Sequence, residues 1–205
     1  IEPQKMLSDT TVSSFGDLTL FFEALYALHK RPEAIHISYY GDSMIEGDLI
    51  TMDLRKLLQS RFGGKGVGFM PVTSSTAGFR STIKHTFNEE WDAQNFNLNP
   101  ADSISLGWSG FNFIGKPGAR VQFKKSKGQA RFNKVKMYYR NKSDCSIALS
   151  TELKKESVKL SFTDSITALE IKDTTDFEQL EIEINQGQPE VIGFNFENGP
   201  GLYVD

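Results

Sequence analysis

Cysteine is almost absent. Cys145 is the one thiol in 205 residues, so no intramolecular disulfide framework can hold the fold. That scarcity leaves the compartment open, because exported bacterial proteins can do without disulfides. Basic charge is not in excess either. The formal net charge is −3 at pH 7, and no basic field offers itself to nucleic acid. No apolar run is long enough to span a bilayer. Histidine is limited to His29, His36 and His85, which narrows the candidates for a general base. No spacing supports a metal site, calcium included, and no motif calls for a cofactor. A signal peptide is missing and the chain starts at Ile1. The expectation is a leader already removed and a periplasmic, outer-surface or secreted location.

The stretch around which the rest is organised runs from His36 to Asp48. Ile35, Ile37 and Tyr39 alternate with His36, Ser38 and Tyr40, which is strand periodicity. Gly41 then permits a sharp turn, and Asp42 or Ser43 can cap the helix that follows. Ile50, Leu54, Leu57, Leu58 and Phe62 lie on one face of that helix, with Arg55, Lys56, Gln59 and Arg61 off it. Gly63-Gly64 stops it. Strand, tight turn and helix is how α/β hydrolytic enzymes present a nucleophile, with free helix N–H groups beside it to hold an oxyanion. Ser43 is the candidate nucleophile. The bland alternative is a turn followed by an N-cap.

Around this stretch the chain reads as two parts. A helix is expected over residues 15–30, with Leu18, Phe21, Phe22, Leu25 and Leu28 on one face, a cap at Ser13 or Ser14, and a stop at Arg31-Pro32. His29 near its end reads as a surface residue facing the helix dipole. Gly63, Gly64, Gly66 and Gly68 lack the Lys-Ser/Thr ending of a phosphate loop, so they read as a flexible loop bringing backbone to the site rim. Residues 72–100 read as an irregular or short-stranded connection, ending at Asn99-Pro100. From residue 101 onward short alternating runs recur, such as Arg120-Val121-Gln122-Phe123 and Leu180-Glu181-Ile182-Glu183-Ile184. Turn signals such as Lys116-Pro117-Gly118 and Asn185-Gln186-Gly187 separate them, the pattern of an antiparallel sandwich. Glu181 and Glu183 alternate with core positions and read as a solvated face. Trp108, Phe111, Tyr138 and Tyr139 can stack on sugar rings; the alternative is that they fill the core or the seam between the parts.

Tyr40-Gly41-Asp42-Ser43 after a strand, then Gly47-Asp48 and Leu54-Arg55-Lys56-Leu57-Leu58-Gln59, resembles the first block of the SGNH (GDSL-type) serine hydrolases. The likeness extends through Phe62-Gly63-Gly64-Lys65-Gly66-Val67-Gly68-Phe69 to bacterial secreted members, and covers roughly residues 15–80. Some of those members interrupt the catalytic domain with a β-sandwich. The resemblance implies an α/β plus all-β chain. A partial flavodoxin-like piece (residues 1–100) is followed by a jelly-roll-like, carbohydrate-binding-module-like sandwich (101–198) and the start of a returning strand (199–205). It also implies that a glycine and an asparagine of the oxyanion hole, and an Asp-x-x-His supplying the base, follow later. The missing C-terminal half of the α/β domain is then a candidate partner.

None of the histidines fits that last motif. Tyr26, Glu33 and Thr82 stand three residues before them. Glu33 and His36 have the spacing but precede the nucleophile on its own strand. His85 is a remote alternative, with Asp92 or Glu89 to orient it. The function expected from these residues is a serine esterase removing O-acetyl or similar groups from a carbohydrate. Ser43 is its nucleophile and oxyanion donor, Asp42 supports the turn, and the 205 residues alone are nearly inactive. Two alternatives stand beside it: a non-catalytic carbohydrate-binding or scaffold module, and an O-acetyltransferase on the same scaffold.

Overall fold

The computed structural model describes residues 17–41, 45–95, 97 and 105–205. Helix α1 (Thr19–Ala27) precedes strand β1 (Ala34–Ile37). A 3₁₀ turn (Glu46–Asp48) leads into α2 (Thr51–Phe62). Strand β13 (Gly201–Val204), at the far end of the chain, pairs parallel with β1, Ala34 opposite Gly201 and Ile37 opposite Val204. Leu25, Leu202 and Val204 form the buried centre of a small core, with Phe21, Leu28, Ile35, Ile37, Leu54, Leu58 and Phe62 packed on it.

Each helix turns a narrower face inward than its apolar pattern suggests. In α1 the inward set is Phe21, Leu25 and Leu28, one turn apart; Leu18 and Phe22, expected on that face, are exposed. In α2 Leu54, Leu58 and Phe62 pack inward, while Ile50 and Leu57 are exposed. Arg55, expected outside, is buried. Its two terminal nitrogens donate to Asp48 and its Nε donates to the Val204 carbonyl at 3.0 Å. The expected caps Ser13 and Ser14 lie outside the described residues.

The rest is an antiparallel two-layer sandwich. Strands β2 (Lys65–Met70), β3 (Ile83–Phe87), β4 (Trp91–Asn95), β5 (Phe111–Gly115), β6 (Arg120–Lys125) and β7 (Val135–Asn141) are followed by β8 (Ser146–Thr151), β9 (Lys155–Lys159), β10 (Thr163–Ile171), β11 (Gln179–Gln186) and β12 (Glu190–Asn198). One sheet runs β10-β7-β12-β5-β4 with β2 also on β12; the other runs β3-β6-β11-β8-β9. Phe123 of the second sheet meets Phe194 and Phe196 of the first edge-on, at 4.9 and 5.1 Å between ring centres, which is a favoured aromatic geometry in a dry core. Glu181 and Glu183 alternate with the buried Leu180, Ile182 and Ile184, as the period of two requires.

Two expectations are corrected here. The glycine-rich stretch is strand β2, not a loop, and it needs glycine because other backbone passes so close. A Cβ on Gly66 would stand 2.3 Å from the Phe196 carbonyl oxygen. Strands β3 and β4 belong to the two sandwich sheets, so the sandwich draws on residues well before 100. Short strands are one of the two readings of this segment, but Lys84, Thr86, Asp92 and Gln94 dilute their apolar content and hide that they join the sandwich.

Candidate active site

Strand β1 ends against the outer face of the first sandwich sheet, and a cleft of about 900 Å³ opens between them. Tyr39, Tyr40 and Gly41 line it from the end of β1, Ile45 from the start of the next turn, and Trp108, Lys136 and Tyr138 from the sandwich. Asp42, Ser43 and Met44 lie outside the described residues; Gly41 and Ile45, on either side of these three, both line the cleft.

The floor of the cleft is an ion cluster centred on His36. Its Nδ1 lies 2.7 Å from Asp205 Oδ2, and its Nε2 3.4 Å from Glu197 Oε1. The ring stacks on Tyr203 at 5.3 Å. Burial opposes charge on the imidazole, but hydrogen bonds and attraction from Asp205 and Glu197 prevail and raise its pKa to about 9. At neutral pH His36 is therefore a cation with both nitrogens engaged, and it cannot serve as a free general base. Glu197 is buried against Lys134 Nζ at 2.8 Å, Lys136 Nζ at 3.1 Å and Asn195 Nδ2 at 2.9 Å. Burial alone would raise its pKa; His36, Lys134 and Lys136 instead bring it down to about 2. The Asp205 Oδ1 atom accepts the Phe69 N–H at 2.8 Å.

A second network fixes the turn between the cleft and α2. Asp48, buried and in the left-handed region at φ 69°, accepts from Arg55, from Thr51 Oγ1 at 2.5 Å and from Thr82 Oγ1 at 2.9 Å. Thr82 sits just before β3, so this one carboxylate joins α2 to the sandwich. An L-residue stays in that conformation only where its surroundings over-determine it.

The four aromatic residues singled out from the sequence separate into two groups. Trp108 and Tyr138 meet edge-on at 4.7 Å and line the cleft, and the Tyr40 hydroxyl donates to the Trp108 carbonyl at 3.3 Å. Burial raises the Tyr138 pKa. Phe111 is not among the cleft-lining residues; it stacks on Phe113 at 5.9 Å. Tyr139 points into the sandwich core, because β7 alternates, and its hydroxyl accepts the Ser161 N–H at 3.3 Å. A sugar ring cannot reach it.

His85 does not face the cleft. It is buried in β3 against Phe123, at 4.7 Å between rings, with Nε2 2.9 Å from the Val72 carbonyl. Burial pulls its pKa down to about 4, only partly opposed by the Val72 bond. Among the described residues neither Asp92 nor Glu89 bonds to it, and its Nδ1 has no partner. His29 is exposed beyond α1. The cluster of His36, Glu197, Lys134 and Lys136 was missed from the sequence. The period-two row Lys134, Lys136, Tyr138 on one strand was its only local signal.

No protein-family model matches this sequence, and no curated protein matches it. Among solved structures, the chain is similar to a peptidoglycan O-acetylesterase, at 19% identity with a TM-score of 0.67. That alignment covers 93% of this chain and 52% of the esterase, so the chain spans about half the length of the structure it matches. Identity this low establishes a shared fold. More distant matches include a family 29 carbohydrate-binding module (11% identity, TM-score 0.38, covering 67% of this chain and 95% of that one). A family two carbohydrate esterase from Cellvibrio japonicus also matches (9%, TM-score 0.36, covering 60% and 36%). No helix among the described residues is long and apolar enough to cross a membrane.

Proposed function

We propose that this chain carries the nucleophile of a serine ester hydrolase of SGNH type that removes O-acetyl groups from a carbohydrate. The observation that carries this reading is convergence on one cleft. The residues flanking Asp42 and Ser43 line it, and so do the sandwich aromatics Trp108 and Tyr138. In this reading Ser43 Oγ attacks the ester carbonyl carbon, and N–H groups at the following turn hold the oxyanion. The sugar oxygen leaves with a proton, and water then releases acetate from the acyl-enzyme. Asp42 supports the turn. His36 is charged and His85 is buried away from the cleft, so the base comes from an Asp-x-x-His segment outside these 205 residues. The fold shared with a peptidoglycan O-acetylesterase supports the same class of chemistry, with a glycan as substrate.

One observation favours a second reading. The Trp108 and Tyr138 rings meet edge-on in the cleft, a surface that a non-catalytic carbohydrate-binding module would also present. The test is hydrolysis of 4-nitrophenyl acetate and of an O-acetylated polysaccharide by the natural full-length polypeptide, with and without Ser43→Ala. A drop of about 10³-fold or more is expected. Undiminished hydrolysis in Ser43→Ala would remove the serine mechanism, and no hydrolysis by the unaltered polypeptide would leave the binding module.

A further inference from the structure

Lys134, just before β7, and Lys136 and Tyr138 on its outward face succeed one another at two-residue steps, and all three line the cleft. Neighbours in such a row stand about 7 Å apart. We propose that the cleft selects a carboxylate-bearing saccharide, its ring on the Trp108–Tyr138 pair and its carboxylate at the Lys134 and Lys136 ammonium groups. This rests on the reading of the cleft as a substrate site.

The argument is one of which charges face the ligand. Among the described residues, and leaving tyrosines aside, six ionisable groups line the cleft: Glu33, His36, Lys134, Lys136, Glu197 and Asp205. The three cations expose 27–29% of their side chains, whereas Glu197 exposes 1% and Asp205 14%. The two inner carboxylates are also occupied. Glu197 serves all three cations, and Asp205 divides its oxygens between His36 and the Phe69 N–H. Each lysine ammonium has three N–H groups and one carboxylate contact, so it keeps donors for a ligand. Glu33, the remaining anion among the described lining residues, stands three positions before His36, roughly 10 Å along the strand. The surface at the centre of the cleft is thus one of cationic donors over hidden acceptors. A carboxylate satisfies such donors better than a hydroxyl does, through charge-assisted hydrogen bonds. The aromatic pair one step along the same strand supplies the flat apolar contact of a sugar ring.

The test is calorimetric titration of the 205-residue chain with two matched pairs of saccharides. One pair is trigalacturonate and galactotriose, with the carboxylate on the ring. The other is the N-acetylglucosamine–N-acetylmuramic acid disaccharide and chitobiose, with the carboxylate on an ether side chain. The acidic member of at least one pair is expected to bind about ten-fold tighter at low ionic strength. That preference should shrink at about 0.5 M NaCl and be largely lost in Lys136→Gln and Lys134→Gln. The pair that discriminates identifies where the carboxylate sits. The salt series on the unaltered chain gives an answer even where a variant fails to fold. Equal binding within both pairs, binding of none of the four, or a preference that survives both substitutions overturns the proposal. None of those outcomes bears on whether hydrolysis depends on Ser43, which the Ser43→Ala assay reads separately.

Discussion

Both terminal nitrogens of Arg55 donate to the buried carboxylate of Asp48, at 2.9 and 2.7 Å. The pair spans the short distance between the turn that follows the cleft and the helix behind it. Arg55 also holds the end of β13 through the Val204 carbonyl, and Asp48 holds Thr82 at the start of β3. Elements from three distant parts of the chain therefore meet at a single ion pair. The fold can support a site at the end of β1 because β1 has β13 beside it and α2 clamped behind.

Removing one partner of this pair is expected to be severe. Asp48→Ala or Arg55→Met leaves an uncompensated buried charge, costing about 3–5 kcal/mol. The double variant Asp48→Ala/Arg55→Met should cost less than the sum, since neither charge is stranded. Urea midpoints of the three variants give the coupling; strict additivity would mean that the two side chains do not act together.

His36 and the buried His85 give pH dependences of opposite sign. His36 has its pKa raised from 6.5 to about 9, so its stabilisation is complete below pH 6.5 and is lost as pH rises through 9. Asp205, Glu197, Lys134 and Lys136 are the charged groups around it. His85 has its pKa lowered to about 4, so its contribution is complete above 6.5 and is lost as pH falls toward 4. Unfolding midpoints from pH 4 to 10 should fall at both ends. His36→Gln should flatten the alkaline limb and leave the acid limb unchanged. A His36→Gln curve still falling as steeply between pH 7 and 9.5 would contradict the assignment.

Close backbone approach, more than turn formation, fixes certain glycines. A Cβ at Gly201 would lie 2.0 Å from the Gly63 carbonyl carbon, and one at Gly66 2.3 Å from the Phe196 oxygen. Gly110 also has a positive φ, but nothing lies within 4 Å of its Cβ position. Gly201→Ala and Gly66→Ala should each cost several kcal/mol or prevent folding, and Gly110→Ala about 1 kcal/mol. Thermal melts of the three rank them directly; equal losses would mean that strain in φ and not crowding sets the cost.

These same glycines show where sequence reading stops. Strand β1, helix α2 and most sandwich strands announce themselves through periods of 2 and 3.6, because each buries one face. Strand β2 does not, since Gly66 and Gly68 are chosen for contact with β12 and β13, far along the chain. Periodicity also misplaced Arg55: an arginine among apolar residues looks like a solvent position until its carboxylate partner is known. The candidate site divides in the same way. The strand Ala34–Ile37 that leads to the cleft is local and legible, while the turn expected at Asp42-Ser43 lies outside the described residues. The joining of His36 to Asp205 and Glu197 depends on a parallel pairing across more than 160 residues, which no local pattern carries.

Tyr138 and Tyr139 are adjacent and chemically identical, yet the alternation of β7 gives them opposite surroundings. Tyr138 lies edge-on to Trp108 in the cleft, and Tyr139 is enclosed in the core with its hydroxyl on the Ser161 N–H. Trp108 is 52% exposed and meets Tyr138 and Phe69 edge-on, so Trp108→Ala should cost about 0.5–1.5 kcal/mol of stability. It should weaken oligosaccharide binding about ten-fold, since a flat aromatic contact is worth roughly 0.5–1.5 kcal/mol beyond its area. Tyr139→Phe should cost about 0.5–1.5 kcal/mol of stability through the lost hydrogen bond and leave binding intact. Urea melts and calorimetric titration on the two variants separate these outcomes. If Trp108→Ala bound saccharide as well as the unaltered chain, the aromatic wall would be part of the seam between β1 and the sandwich rather than a seat for sugar.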